Sequence, residues 1–350
     1  MADAQADDER RSASDAVGVV ALGACALWSL ITAAVHGGRP EGVLLAVLAV
    51  TAGYAAGRMS GAIAPVAAPL TGALAGGVLT IAVPHLSPGP PPGVPLGHAG
   101  ATAALLTLAT GAACCAAWST AVPVLRTALW AVAAGIVATA AVLGTITGFV
   151  ACAGVLLCSL AAGRMGHRGV GLSGLAVVAA SVTGLTWAVA AGVLPAGPAS
   201  ALEGPLTRHR VELWRDALAL ARQDPALGAG PGRFGELSAT SAASALSDGK
   251  PHSAVLQQAA EQGAIGVTLL AAAFCWVLYA LWRTARPTPV ALSAGAALTA
   301  LAAIAAVGNA LSFTAVSVGA GLLAGLATAR PLTPEPADRE GSAPTDRLVT

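Results

Sequence analysis

The sequence predicts an all-α fold: a polytopic α-helical membrane protein of about ten transmembrane helices with one extracytoplasmic helical loop. Three observations predict it. The 350-residue chain is 56% hydrophobic and 10% charged, with a mean hydropathy of +0.74, outside the range of soluble globular proteins. Apolar runs recur along it, separated by short Gly, Pro or Arg clusters, and a span needs about 20 apolar residues to cross a hydrocarbon core of roughly 30 Å. Lys and Arg gather in alternate loops, as the positive-inside rule requires of a serpentine chain. A net charge of +1 offers no attraction to nucleic acid, so no such partner is expected.

From the N-terminus, residues 1–16 (MADAQADDERRSASDA) are polar and acidic and predict a disordered cytoplasmic tail rather than a cleaved signal. The first apolar run is then an uncleaved signal anchor. Residues 17–194 predict a transmembrane bundle of about seven spans, at 17–35, 42–57, 61–83, 99–122, 125–146, 148–163 and 170–194. The run from Thr127 to Gly163 is too long for one span and short for two, and a hairpin is expected between Gly144 and Gly148. Residues 195–262 form the long polar segment. About three more spans follow in residues 263–330, at 263–282, 288–307 and 310–329, and the Pro- and charge-rich residues 331–350 predict a disordered C-terminal tail.

With the N-terminus cytoplasmic, Arg10, Arg11, Arg58, Arg126, Arg164, Arg168, Arg283, Arg286 and Arg330 all fall inside, and the short outer loops carry only Arg39. Both termini are then cytoplasmic, residues 195–262 are extracytoplasmic, and the protein resides in the cell membrane as a multi-pass chain. The Pro-rich loop at 84–98, without Lys or Arg, lies outside as well. All six cysteines sit in apolar runs without CxxC or Cys/His ligand spacing and read as small core hydrophobes, so no metal site and no cofactor are expected. No ionisable residue falls in the middle of a span, which argues against an ion-coupled transporter and moves the chemistry to the outer surface.

In that outer segment, TRHRVELWRDALALARQDP predicts one amphipathic helix over 208–223, ended by Pro225. At about 100° per residue, Arg208, Glu212, Arg215 and Arg222 form a solvated stripe beside an apolar one of Val211, Trp214, Leu218 and Ala221. Arg210 lies on the far flank of the apolar stripe, one turn before Trp214. Its guanidinium either snorkels back to water or serves as a fixed cation for a phosphate or diphosphate. The stretch LGAGPGRFGEL forms a tight turn; lacking Gly-Lys-Ser/Thr it is no nucleotide loop, and at most its amides form an anion-binding nest.

Next comes SDGKPHSAVLQQAAEQGAIG, in which Lys250 and Pro251 lead into a helix. On that helix His252, Leu256, Ala259, Gly263 and Gly266 share a face, Gln257, Gln258 and Glu261 lie roughly opposite, and Gln262 lies on the flank. His252 is the side chain best able to take a proton near neutral pH; the alternative is an interfacial histidine bonded to its loop. Glu261 either pairs with an arginine at the membrane surface or orients a catalytic group, and spacing leaves both open.

These residues resemble a known family. The order Arg210-x-x-x-Trp214-x-x-Ala217-Leu218, then Pro225-x-x-Gly228-x-Gly230-x-Gly232-x-Phe234, then His252-Ser253-x-x-Leu256-Gln257-x-x-x-Glu261-x-Gly263-x-x-Gly266, is similar to the signature of the O-antigen ligase and O-antigen polymerase superfamily. The resemblance implies a metal-independent membrane glycosyltransferase of the C-type class. Such an enzyme moves a glycan from an undecaprenyl-diphosphate carrier to an acceptor hydroxyl on a glycan, lipid or protein in cell-surface polysaccharide assembly. It further implies His252 as catalytic base, Arg210 as a diphosphate-binding residue with Arg215 and Lys250 beside it, and Glu261 and Trp214 as supporting residues. The chain departs from the family in its short length and compact outer loop. It also has Ala162-Gly163-Arg164-Met165-Gly166 where a Ser-Arg-Gly motif is usual, and the arginines there read as topogenic. A permease or transporter, or an inactive membrane scaffold of the same superfamily, is the competing expectation, and membrane lipid is a partner in every case.

Overall fold

The computed structural model describes residues 2–86, 96–193, 208–243, 249–330 and 332, and these are helical with no strand among them. Ten apolar helices occupy the places that the hydropathy indicates. In chain order they begin with α1 (Ala2–His36), α2 (Glu41–Ile63), α3 (Ala67–Leu86), α4 (Leu96–Ser119), α5 (Pro123–Val142), α6 (Ile146–Ala162) and α7 (Arg168–Ala191). The polar segment supplies α8 (Arg208–Gln223) and two single turns, α9 (Phe234–Leu237) and α10 (Ala239–Ala242). The chain returns through α11 (Ala254–Arg283), α12 (Thr288–Val307) and α13 (Thr314–Thr328). Seven of these helices are long and apolar enough to cross a membrane; the described apolar parts of α3, α6 and α13 are shorter. A chain this rich in Ala, Leu and Val, with no water to serve its backbone, satisfies its N–H and C=O groups inside each helix.

Local signals set the boundaries. Pro123 opens α5 at its first turn, where its missing N–H costs nothing, and Gly144, with φ 68°, turns the chain from α5 into α6 at the expected hairpin. The N-terminal expectation is corrected: helix starts at Ala2, so residues 2–16 extend α1 instead of forming a disordered tail. The reason is composition, since Ala, Glu and Arg are strong helix formers and lengthen a helix already nucleated by the apolar run. Ser14 is buried, and its carbonyl accepts a hydrogen bond from Trp276 Nε1 at 2.9 Å. Asp15 takes the Tyr54 hydroxyl at 3.1 Å and Arg58 at 3.0 Å. The C-terminal tail, apart from Leu332, and most of the Pro-rich loop lie outside the described residues.

Helices α4 and α12 are the most enclosed, and the others surround them. Between them and α6, Ser159 and Ser293 share a hydrogen bond of 2.6 Å and Trp118 Nε1 donates to Ser159 at 3.1 Å, which ties three core helices with polar groups. Of the cysteines, Cys114, Cys115 and Cys152 are buried as expected, but Cys158 and Cys275 are exposed on the outside of the bundle. In apolar surroundings that position costs a thiol little.

The tightest pair is α2 against α13. A Cβ on Gly57 would sit 2.3 Å from the Leu322 carbonyl oxygen, and one on Gly325 would sit 2.2 Å from that of Tyr54, so the backbones touch along a ladder of glycines. At one end of the bundle, arginines bind the carbonyls that helix termini leave open. Arg168 donates to the Thr284 and Arg286 carbonyls. The buried Arg286 donates to Ala329 and Gly61, each at 2.9 Å, and its burial holds its pKa below the usual guanidinium value. This arginine-rich end therefore gathers the last turns of α2, α11 and α13 and the first turn of α7. Replacing Gly57 with Leu is expected to lower stability by about 3 kcal/mol or more, read as a fall in the thermal midpoint in detergent. Gly135→Ala, where a Cβ meets nothing within 4 Å, is expected to hold or raise that midpoint.

Candidate functional site

The opposite end of the bundle carries the polar segment, and its organising feature is a break in α11. Gly263 has φ 65° and ψ −164°, so the helix stops there and restarts with Ala264. A side chain at this position would be strained by the positive φ, and its Cβ would meet the Ala226 carbonyl oxygen at 2.3 Å. A break frees main-chain groups, and each one needs a partner. The turn at 225–230 supplies most of them: Ala229 N–H donates to Ala260 O at 2.8 Å, Gly230 N–H to Glu261 O at 2.9 Å, and Ala264 N–H to Pro225 O at 2.8 Å. Trp28 of α1 closes the set by donating its indole N–H to Gln262 O at 3.0 Å. Gly228, at φ 68°, lies so close that a Cβ there would be 2.6 Å from Gln262 N.

The glycine turn thus serves a group of the chain itself. Its amides at Gly232 and Phe234 donate to the carboxyl group of Glu261, which is 4% exposed; burial raises its pKa, against the opposing pull of these amides, of Gln257 Nε2 at 3.5 Å and of the Lys250 ammonium. Glu261 belongs to the scaffold. The turn is also held from outside: Arg39 N–H donates to Pro231 O at 2.7 Å, the Arg39 guanidinium pairs with Glu236, and Arg233 donates to His36 O at 2.8 Å. Asp224 adds Leu227 N–H at 3.0 Å and faces His36 Nε2 at 3.7 Å.

Helix α8 lies over this turn with its buried face rotated from the predicted stripe: Trp214 and Leu218 are buried as expected, but Val211 and Ala221 are only half-buried. Leu213, Trp214, Ala217, Leu218 and Leu220 are buried in a cluster with Phe234, Leu256 and Ala260. Asp216 holds α10 to it, accepting from Ser238 Oγ at 2.6 Å and Thr240 N–H at 3.0 Å. Partial burial works to raise the Asp216 pKa, but these hydrogen bonds win and bring it below the ordinary 3.8. Arg210 falls on the packed stripe one turn before Trp214 and is half-buried, and that burial lowers its pKa. It has no hydrogen-bond or ion-pair partner among the described residues. Trp214 is 1% exposed, and its indole N–H is likewise without an acceptor.

His252 departs from the expected geometry. The helix begins at Ala254, capped by Ser253, whose Oγ accepts from Leu256 N–H at 3.4 Å. His252 therefore precedes the helix and shares no face with Leu256, Ala259, Gly263 and Gly266. It is the one described non-glycine residue at positive φ, 52°, and is half-buried. Such a conformation costs on the order of 1 kcal/mol and persists only where the surroundings impose it. Here Pro251 and Ser253, both buried, clamp it on either side.

The predicted residues divide accordingly. Arg210 and Trp214 share the inner face of α8; Lys250, His252 and Glu261 come from the segment leading into α11 and its first turns. Arg215 is exposed, about 140° round α8 from Arg210, and does not converge with it. Trp28, Asp216 and Asp224 hold the site together but carry no short-range sequence signal. Among the described residues no three His, Cys, Asp or Glu side chains cluster closely enough to hold a metal ion. No protein-family model matches the chain, and searches of curated proteins and of solved structures find no match.

Two outcomes are expected. Gly263→Ala should cost more than about 2 kcal/mol and speed hydrogen exchange at the amides of Ala229, Gly230 and Ala264, because the freed groups lose their pairing. Asp216 has a depressed folded pKa, so its contribution is complete above the ordinary carboxylate value and is lost as pH falls through the folded one. Wild type should therefore melt above Asp216→Asn by a constant margin at pH 5–7, and the margin should shrink below about pH 4.

Proposed function

We propose that the chain is a multi-pass membrane glycosyltransferase, all ten apolar helices crossing the bilayer, that moves a glycan from undecaprenyl diphosphate to an acceptor hydroxyl on a glycan, lipid or protein. The observation that carries the reading is Arg210. Among the described residues Arg58, Arg126, Arg168 and Arg233 are half-buried and each has a carboxylate or carbonyl partner, while half-buried Arg283, at the other end of the bundle, rests on the Trp282 ring. Arg210 is equally enclosed and has neither, one turn from a buried indole N–H that is also unmet. A half-buried guanidinium and a buried indole N–H one turn apart, neither with a protein acceptor, favour an anion that arrives with the substrate, and a guanidinium fork suits a diphosphate. The ordered motif blocks ending at Gly266 supply the class of substrate.

In this reading His252 accepts the proton of the acceptor hydroxyl as its oxygen attacks the anomeric carbon. The glycosyl C–O bond breaks, and undecaprenyl diphosphate leaves with its charge taken by Arg210. Lys250, near Glu261, adds positive potential, and Glu261 with Trp214 supports the frame. Exposed Arg215 takes no part.

Transport is the second reading, favoured by the broken α11, since unwound helices build ion and substrate sites in transporters. Against it, the carbonyls of Ala260, Glu261 and Gln262 are already taken by Ala229, Gly230 and Trp28. The test is reconstitution in liposomes with lipid-linked glycan from a bacterial envelope, following released undecaprenyl diphosphate. His252→Ala and Arg210→Ala are each expected to slow release by at least about 100-fold, with Arg210→Lys intermediate. Release unchanged in His252→Ala, or glycan crossing the bilayer with its carrier intact, would overturn the enzymatic reading.

A further inference from the structure

We propose that the trough between α7 and α11 at the arginine-rich end binds an anionic phospholipid, one acyl chain lying along the trough and the phosphate held by Arg283. The trough is an open depression of about 320 Å³ on the outside of the bundle. One wall is α7, with Gly169, Ser173 and Ala176 spaced a turn apart and Leu172 beside them; the other is α11, with Cys275, Tyr279 and Trp282 at the same spacing and Leu278 between. Gly169, Ser173 and Ala176 leave room beside the Tyr279 and Trp282 rings, and the furrow runs along the two helices. Its lining is mostly apolar, and on a face turned to lipid the matching occupant is a hydrocarbon chain.

The end of the trough selects the headgroup. Tyr279 and Trp282, 38% and 51% exposed, stand with ring centroids 6.1 Å apart, and Arg283 lies over the Trp282 ring at 5.7 Å. Amphipathic aromatic rings settle at headgroup depth, and a cation stacked on one is pre-positioned there. Arg283 has no hydrogen-bond or ion-pair partner among the described residues, whereas neighbouring Arg168 and Arg286 are committed to carbonyls. Arg168 also fixes the mouth, bridging the first turn of α7 to the Trp282 and Thr284 carbonyls. A furrow of chain width ending at a positioned, uncommitted guanidinium complements a lipid with a negative headgroup.

The experiment uses the full-length protein in phosphatidylcholine nanodiscs doped with bromine-labelled phosphatidylglycerol or, at equal mole fraction, bromine-labelled phosphatidylcholine. The Trp282 signal is the difference between wild type and Trp282→Phe. Brominated phosphatidylglycerol is expected to quench it at least twofold more than the phosphatidylcholine probe, with Arg283→Lys retaining the preference and Arg283→Gln abolishing it. Ala176→Phe fills the furrow with every charge kept, and it too should abolish the preference. Equal quenching by the two lipids in wild type, or a preference that survives Arg283→Gln, overturns the site; a preference that survives Ala176→Phe overturns the trough as its seat.

Discussion

The fold at the polar end of the bundle depends on the closing of the gap that Gly263 opens in α11. In apolar surroundings an unpaired carbonyl or amide costs several kcal/mol, so a helix can break there only where other backbone is delivered to it. The turn at 225–230 and the indole of Trp28 make that delivery, from elements far away in the chain. Three parts are thereby tied together: the end of α1, the turn that follows α8, and the start of the span. The buried Glu261 completes the lock by binding the turn's remaining amides.

This lock explains why the glycines resemble an anion-binding loop without serving one for a substrate. Their N–H groups are directed inward, to main-chain carbonyls and to the Glu261 carboxyl group. Positive potential for an incoming anion must come from side chains instead. The lock also determines where such side chains can stand. By fixing the turn against α11 it fixes the floor on which α8 packs, and through Leu213, Trp214 and Leu218 it sets which side of α8 is enclosed. Arg210 is enclosed because it continues that stripe, not because a partner draws it in.

Much of this was legible in the sequence, and what was missed shares a cause. Hydropathy located the apolar helices and the 3.6-residue period gave α8 its limits, because these signals are local; the packed face itself is rotated from the predicted stripe towards Leu213 and Ala217, which carries Arg210 from its flank onto it. Periodicity also extended the helix of α11 back to His252, where it fails: Ser253 is the cap, and a proline two residues earlier with a histidine at positive φ is a turn. A polar composition describes both a disordered tail and the polar extension of a helix, so nothing local in the N-terminal segment separates the two. Trp28, meeting Gln262 across 234 positions, and Asp216, bonded to Ser238, are tertiary partners that no short window contains.

The arginines show how the two ends of the molecule differ in what they leave unmet. Guanidinium groups brought partway out of water lose hydration and regain it from acceptors, so an enclosed arginine without one marks a place where an acceptor belongs. Arg58 finds Asp15; Arg168, Arg233 and Arg286 find carbonyls at helix ends, which also neutralises the negative ends of those helices. These side chains are consumed in holding elements together. Arg210 and Arg283 are not, and they stand at opposite ends of the bundle, one beside a buried indole and the other on an exposed one. Their surroundings sort the anions: an enclosed pair of donors suits a headgroup drawn in with a substrate, whereas a guanidinium over an interfacial ring beside an open furrow suits a lipid that stays in the bilayer.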